Sequence, residues 1–129
     1  MKAVDTNVLL RFLVQDDAQQ SPIATRLLEE KLTVEQPGFV PIVAVLELDW
    51  VLRSQYGFSV EIVAHTIAGL MASPNLVFEH SNAVEAALDF VYGDLADNIL
   101  HQTAQANGCS GTLTFDRKFA RLEGVELLK

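Results

Sequence analysis

The stretch Lys2-Ala3-Val4-Asp5-Thr6-Asn7 is a short apolar run that ends on a carboxylate, a hydroxyl and an amide. A second apolar segment, residues 8–14, follows with no loop between the two. A strand that stops on an acid and leads directly into a helix predicts a βα unit. Because ligands of open α/β sheets bind at the carboxyl ends of the strands, Asp5 is a first candidate for a functional site.

The rest of the chain repeats this alternation of strands and helices. Further strands are predicted at residues 39–43, 76–79, 111–116 and 125–128. Helices are predicted at residues 44–56, from 59 to about 71, 82–92 and from about 94 to 107. The alternation indicates an α/β fold, a three-layer α/β/α sandwich with a mainly parallel sheet. With 129 residues, the chain is expected to be a single domain, 1–129.

Polar residues at the predicted helix starts indicate how those helices are capped. Ser21 before Pro22 is typical of an N-cap and a first helical residue. Ser59 is expected to cap another helix, and Asn82 with Glu85 is a capping-box pattern.

Composition limits the function classes. Half of the residues are hydrophobic, yet no apolar run is as long as a membrane span, so no membrane partner is expected. A signal-peptide pattern is lacking, and the single Cys109 suits a reducing compartment, so we expect a cytoplasmic protein. The net charge of −8 is the wrong sign for simple nucleic-acid binding, so a nucleic-acid function needs a cation or a local basic surface.

Four acids lie at predicted strand–helix junctions: Asp5, Glu47, Asp97 and Asp116. Glu47 and Asp97 are expected in the first turns of their helices, and Asp5 and Asp116 end strands. Carboxylates packed together cannot all ionise without a cation, because like charges raise each other's pKa. Oxygen-only ligands suit Mg²⁺ or Mn²⁺, and such an ion could activate water and stabilise charge on a phosphodiester.

Each acid also has an ordinary structural interpretation. Asp5 could cap the helix that follows, and Glu47 could stabilise a helix dipole. Asp94 is a natural N-cap with Asp97 three residues on, and Asp116 could begin a turn. The sequence pattern alone leaves these alternatives open for every single acid, and only their conjunction favours a metal site.

Other chemistry is less well supported. His65 and His80 lack partners at metal-ligand spacing, and no phosphate-binding glycine loop is present. His101 lies one turn after Asp97 on the same helix face and could reach the site, but it is not expected to be a ligand. A metal-dependent phosphatase remains an alternative because residues 5–7 are similar to the nucleophile segment of haloacid-dehalogenase phosphatases. That family expects a second Asp where this chain has Asn7.

Four stretches together resemble PIN-domain ribonucleases, and most closely the VapC toxins of toxin–antitoxin pairs. In family order they are residues 4–11 (VDTNVLLR), 46–52 (LELDWVL), 94–100 (DLADNIL) and 114–118 (TFDRK). The resemblance implies a parallel sheet of strand order 3-2-1-4-5, with strands 1 and 4 side by side. It also implies a Mg²⁺- or Mn²⁺-dependent endoribonuclease.

The resemblance assigns roles residue by residue. Asp5, Glu47, Asp97 and Asp116 match the acidic quartet that binds the metal and serves catalysis. Residues that match an additional acid, polar support or a substrate contact are Asp94, Thr6, Asn7, Thr114 and Arg117. The chain departs from the pattern in lacking a Ser or Thr at residues 42–45 and in having Asn98 in place of a small residue.

The resemblance also implies partners: an RNA substrate, a cognate antitoxin and a second copy of the chain in a homodimer. Basic residues that follow the motifs are candidates for an RNA groove, with ordinary solvated charges as the alternative for each: Arg11, which could instead contact a partner, Arg53, Arg117, Lys118 and Arg121. The antitoxin is expected against apolar residues of the first helix, with core burial as the alternative that is favoured for at least half of them: Leu9, Leu10, Phe12 and Leu13. A PIN nuclease of RNA processing, or an inactive PIN binding module, remains an alternative.

Overall fold

The computed structural model describes residues 1–90 and 93–129. These residues form two compact units, 1–79 and 80–129. The structure has the predicted α/β composition, with parallel strands and, in the described part of the chain, six α-helices.

The first unit contains three strands and four α-helices. Its elements in chain order are β1 (Lys2–Ala3), α1 (Thr6–Leu13), α2 (Gln20–Arg26), β2 (Gly38–Val40), α3 (Ile42–Ser54), α4 (Val60–Met71) and β3 (Leu76–Phe78). A π-helical segment, Leu27–Lys31, continues α2. The three strands are parallel in the order β1-β2-β3, which agrees with the 3-2-1 part of the predicted order.

Apolar side chains of the sheet and helices form the core of the first unit. Fully buried side chains on β2, α1, α3 and α4 are Val40, Leu9, Val45, Leu48, Leu52, Val63 and Ile67. Burying each large aliphatic side chain contributes roughly 1.5–3 kcal/mol. Gly38 lets β1 and β2 approach, because a Cβ at this position would lie 2.7 Å from Cγ2 of Val4.

The second unit contains two helices and a parallel pair of strands. Its elements are α5 (Ser81–Leu88), α6 (Leu95–Ala106), β4 (Thr112–Thr114) and β5 (Val125–Leu127). A single 3₁₀ turn, Phe119–Arg121, lies between β4 and β5. The pairing of β4 with β5 agrees with the 4-5 part of the predicted sheet order. The adjacency of strands 1 and 4 stays a prediction.

Apart from Asp5, two predicted helix caps are confirmed and two are wrong. The Ser59 hydroxyl accepts from the Ile62 N–H, and the Asp94 carboxylate accepts from the Ala96 N–H. Ser21 instead lies inside α2 and is buried, because the carboxylate of Asp17 accepts the N–H groups of Gln20 and Gln19 at the helix start. These two N–H bonds, that of Gln20 first, hold the pKa of Asp17 below its usual value.

The predicted cap at Asn82 is wrong because Asn82 lies inside α5, which begins at Ser81. The N-cap residue of this helix is His80, which has a left-handed conformation with φ of 51°. The same helix ends at Leu88, short of its predicted end at residue 92, which lies outside the described residues. In the part of the chain that the structure describes, no helix is both long and apolar enough to cross a membrane.

Candidate metal centre

Asp5 follows β1 and is the N-cap residue of α1. Its backbone is extended, with φ of −75° and ψ of 156°, and its Oδ1 accepts the Thr6 N–H at 2.7 Å. The predicted capping role is therefore present, and the carboxylate is nevertheless exposed. A cap that uses Oδ1 leaves Oδ2 available to a cation, so capping and metal binding are compatible for Asp5.

The two polar residues after Asp5 lie in the first turn of α1. Thr6 is buried, so its side chain supports the strand–helix junction from inside. Asn7 is exposed and lines a groove of 260 Å³ between α1 and α2, together with Arg11.

Glu47 is an exposed acid of α3 in the first unit, but it does not lie in the first turn of that helix. The helix begins at Ile42, directly after Pro41, so Glu47 is its sixth residue. The prediction of a first-turn position was wrong because it started the helix at residue 44. The favourable effect of the helix dipole on an acid is confined to the first turn, so it does not explain the presence of Glu47.

Glu79 is a residue of this region that the sequence interpretation missed. Its Oε1 accepts the Ile42 N–H at 2.8 Å, and its own N–H donates to the Val40 carbonyl at 2.9 Å. Pro41, the N-cap residue of α3, makes no side-chain cap, so the carboxylate of Glu79 caps the helix from the end of β3. Glu79 thereby positions the helix that carries Glu47. An acid directly after a β-strand was the only available signal.

Three acids of the second unit act on one another electrostatically. Asp94 is the N-cap of α6, Asp97 lies in the first turn of that helix, and Asp116 follows β4. Partial burial raises the pKa of Asp97, and the negative charges of Asp94 and Asp116 raise it further. The negative charges of Asp94 and Asp116 therefore both act on Asp97, and a cation beside Asp97 would relieve this repulsion.

Asp116 organises the turn after β4. Its Oδ1 accepts the backbone N–H groups of Lys118 at 2.8 Å and Phe119 at 3.2 Å, and its own N–H donates to Oγ1 of Thr114 at 3.0 Å. The expected turn role is present, and the Thr114 hydroxyl holds the backbone of Asp116. Arg117 lies in this turn with an exposed side chain.

His101 fixes α6 against the strands of the second unit. It is buried, its Nδ1 lies 2.8 Å from Oγ1 of Thr112, and its Nε2 lies 3.0 Å from the Glu123 carbonyl. His101 lies one turn after Asp97, and Thr112 lies on the strand that leads to Asp116. The histidine therefore positions the two acids relative to each other through their backbones.

Arg53 is already engaged within α3. Its guanidinium makes two bonds, of 2.9 and 2.8 Å, to the carboxylate of Asp49, which is only 3% exposed. A buried carboxylate without a paired cation is strongly destabilising, so Arg53 has a structural role. The suggestion that Arg53 lines an RNA groove is not supported by these contacts. Asn98, which replaces a small residue, is also buried, with Nδ2 3.4 Å from the Phe90 carbonyl.

The candidate ligands are divided between the two units. Asp5 and Glu47 belong to the first unit, and Asp94, Asp97 and Asp116 belong to the second. Within residues 1–90 and 93–129, no three His, Cys, Asp or Glu side chains are placed together so as to hold a metal ion. By chemistry the donor set fits a hard divalent cation, because all donors are carboxylate oxygens and the second-unit acids repel one another.

Comparison with known proteins identifies the family. No curated protein matches the chain. A family model described as the PIN domain matches residues 2–125, which is nearly the whole chain. PIN domains are generally nucleases and typically use divalent metal ions. The chain therefore belongs to the PIN domain family.

Proposed function

We propose that this PIN domain is a Mg²⁺-dependent endoribonuclease that cleaves RNA phosphodiester bonds, and that it is the toxin of a VapBC-type toxin–antitoxin pair. The observation that carries the nuclease proposal is the match of the PIN domain model to residues 2–125, because PIN domains are generally nucleases. The negative charges of Asp94 and Asp116 beside Asp97 fit this function, since they favour a bound cation.

In this proposal Asp5, Glu47, Asp97 and Asp116 are the metal ligands, as the family resemblance implies. Asp5 and Asp97 would hold the principal ion, and Glu47 and Asp116 would complete the site directly or through water. Mg²⁺ or Mn²⁺ suits this set because both prefer oxygen ligands. When bound, the ion supplies Lewis-acid chemistry, since it polarises phosphoryl oxygens and lowers the pKa of water.

The residues of the chain carry the remaining steps. Glu47 or Asp116 would orient the attacking water and accept its proton, since an exposed carboxylate can do both. Arg117 would bind a phosphate of the substrate next to the reacting one. Thr6, Asn7 and Thr114 would keep the acids in position, and the bond from Asp116 N–H to Thr114 is an instance of such support.

The net charge of −8 is compatible with this function. Several of the 17 acids belong to the candidate site, where bound cations offset them. Arg117 and Lys118 are exposed, and neither forms an ion pair within the described residues. They give the turn beside Asp116 a local positive charge that an RNA backbone can use.

The toxin role adds an antitoxin, for which the groove between α1 and α2 is the proposed contact. Its lining includes Asn7 and the exposed Ile23, so it offers an amide and apolar surface to an extended peptide. Arg11, which also lines it, is already paired with Asp16 and Asp17 and donates to Gln20. The expectation that Leu9 contacts the antitoxin is wrong, because Leu9 is fully buried in the core. Leu10, Phe12 and Leu13 are partly buried. A homodimer and a cytoplasmic location are further parts of this proposal.

The nuclease proposal is tested with total RNA, purified protein and Mg²⁺. Wild type should cleave, and cleavage should stop in excess chelator and return with Mg²⁺ or Mn²⁺. Mapping the new ends would identify the cut sites. Undiminished cleavage in chelator would overturn the metal-dependent mechanism, and binding of RNA without cleavage or Mg²⁺ affinity would favour an inactive binding module.

The toxin proposal needs a separate experiment. Induction of wild type should arrest growth, and induction of Asp5→Asn should not. Co-purification with a small protein that abolishes cleavage would support an antitoxin. A nuclease that cleaves RNA in vitro but neither arrests growth nor co-purifies with an inhibitor would favour a role in RNA processing.

A further inference from the structure

His101 is a buried titratable side chain to which the proposed mechanism gives no role. It is only 4% exposed, although a polar ring inside a protein is stable only when its nitrogens are hydrogen-bonded. Both nitrogens have a partner in the second unit, and the two partners lie on different elements: Thr112 on β4 and Glu123 in the turn before β5. A side chain that bonds to two elements at once can fix the relative position of everything that they carry.

The two partners also determine which ring nitrogen carries the hydrogen. A carbonyl oxygen can only accept, so Nε2 of His101 donates to Glu123 over 3.0 Å. Nδ1 is then the acceptor, at 2.8 Å, of the hydroxyl of Thr112, which is itself only 8% exposed. The amide nitrogen of Gln105 lies 3.3 Å from Nε2, farther than the Glu123 carbonyl. One neutral tautomer of the histidine therefore joins α6 to a strand and to a turn.

The surroundings of the ring fit its size closely. Gly124 has a φ of 86°, and a Cβ at this position would lie 3.2 Å from Cε1 and 3.3 Å from Nε2 of His101. The Gly124 carbonyl accepts the Thr112 N–H at 2.9 Å, and the buried ring of Phe119 packs edge-on against the imidazole. Because the ring is confined in this way, the loss of one of its bonds is expected to shift α6 against β4.

Two of the proposed metal ligands lie on the elements that His101 joins. Asp97 is in the first turn of α6, and Asp116 directly follows the segment that begins with β4 at Thr112. A shift of α6 against β4 would change the separation of the two carboxylates. Mg²⁺ demands a near-ideal arrangement of its oxygen ligands, so its affinity is sensitive to such a change.

We propose that His101 is a positioning residue of the candidate metal centre: by joining α6 to β4 and to the turn before β5, it sets the separation of the Asp97 and Asp116 carboxylates and thereby the affinity for the divalent ion. The inference rests on the proposed metal-dependent function. It adds a residue that is neither a ligand nor a substrate contact. Mutation of residues that orient metal ligands typically lowers metal affinity by roughly 10–100-fold.

The test uses variants that each keep one of the two bonds. His101→Asn places an amide oxygen near the position of Nδ1 and retains the acceptor for Thr112. His101→Gln places an amide nitrogen near the position of Nε2 and retains the donor to Glu123. Thr112→Val removes the hydroxyl and leaves the histidine in place. Val84→Ala, at a fully buried position on α5, is the control that lowers stability and alters none of these bonds.

Metal affinity is measured without catalysis, from the electron paramagnetic resonance signal of free Mn²⁺ in a titration. His101→Gln and Thr112→Val should bind Mn²⁺ about tenfold more weakly than wild type, because both lose the bond to β4. His101→Asn should lose less, and Val84→Ala should bind as wild type does. In RNA cleavage, the first two variants should need more Mg²⁺ for half-maximal rate, and saturating Mg²⁺ should restore the rate with an unchanged KM for RNA.

Urea unfolding followed by circular dichroism shows which variants are folded, and Thr112→Val decides if His101→Gln is not. An unchanged Mn²⁺ affinity in the folded variants that lack the bond to β4 would overturn the inference. An equal loss of affinity in Val84→Ala would also overturn it, because lower stability alone would then explain the effect.

Failure of the proposed function would give a different result. If wild type binds Mn²⁺ but does not cleave RNA, the nuclease proposal fails, and weaker Mn²⁺ binding by Thr112→Val still supports the positioning role of His101. If wild type binds no Mn²⁺, both proposals are overturned.

Discussion

The carboxylate of Glu79 accepts the backbone N–H of Ile42, 37 residues earlier in the chain, with 2.8 Å between Oε1 and nitrogen. This bond joins the end of β3 to the first residue of α3. Because Glu79 also donates its N–H to Val40 at the end of β2, one residue links two strands and a helix. The bond holds the start of α3, the helix that carries Glu47.

Removal of the Glu79 carboxylate should destabilise the first unit. We expect Glu79→Ala to lower the free energy of unfolding by about 1–2 kcal/mol, because the helix N-terminus loses its cap. Glu79→Gln retains an acceptor oxygen and should lose less. Urea unfolding followed by circular dichroism measures both. Equal stability of the two variants and wild type would contradict the capping role.

Asp5→Asn should separate the metal-binding role of Asp5 from its capping role. Asparagine caps a helix about as well as aspartate, so the free energy of unfolding should change by less than about 0.5 kcal/mol. Cleavage of RNA should nevertheless fall by at least roughly a hundredfold, because an amide replaces a charged ligand. Cleavage rates and melting temperatures are measured on the same preparations. Glu61→Gln, at an exposed acid in the first turn of α4, is the matched control and should cleave as wild type does. Loss of folding together with activity would point to the cap alone.

Asp97→Asn should stabilise the metal-free protein at neutral pH. The pKa of Asp97 is raised in the folded state, so its charged form is less favourable there than in the unfolded chain. Stability therefore falls as the pH rises through the folded pKa. The variant should gain roughly 0.5 kcal/mol at pH 7, a small value because solvent screens a partly exposed group. The gain should vanish below pH 3.8, the usual pKa of the carboxyl.

Thermal unfolding in chelator from pH 3 to pH 8 measures this difference. Glu85→Gln, at an exposed acid on α5, is the control and should show a smaller gain. Addition of Mg²⁺ should reverse the order, since the ion stabilises wild type by binding to the folded state alone. A variant that Mg²⁺ stabilises as much as wild type would argue against Asp97 as a ligand.

Arg53 and Arg117 should respond to mutation in opposite ways. Arg53→Ala leaves the buried Asp49 without its cation, so we expect a loss of about 2 kcal/mol in stability and no change in the salt dependence of RNA binding. Arg117→Ala should leave stability unchanged and weaken RNA binding, with a smaller salt slope because one phosphate contact is lost. Unfolding and binding titrations at several salt concentrations measure both effects. A reduced salt slope for Arg53→Ala would contradict its structural role.

Local signals in the sequence predicted much of the fold. Ser59 and Asp94 cap the helices they precede, and the acids after β1 and β4 are at the ends of those strands. These features depend on residues within three or four positions of one another. Such short-range patterns can be recognised in the sequence without knowledge of any tertiary contact.

The features that were missed depend on residues distant in sequence or on competing local bonds. Ser21 was predicted as the cap of α2, but Asp17 takes this role because its carboxylate accepts the N–H groups of Gln19 and Gln20. The cap that Glu79 makes and the hydrogen bonds of His101 join residues that are far apart in the sequence, so no local pattern predicts them. The assignment of Asp5, Glu47, Asp97 and Asp116 to one metal site comes from the family resemblance and stays a prediction.

The hydrogen bonds of Asp5 and Asp116 have a consequence for the speed of metal exchange. In each carboxylate one oxygen accepts a hydrogen bond from the neighbouring backbone, so the side-chain rotamer is fixed in the folded chain. The conformational entropy of these two side chains is then already lost before an ion arrives. Exchange of Mg²⁺ at such a site would be limited by the ion's release of its own water shell, and side-chain rearrangement would add little to the barrier.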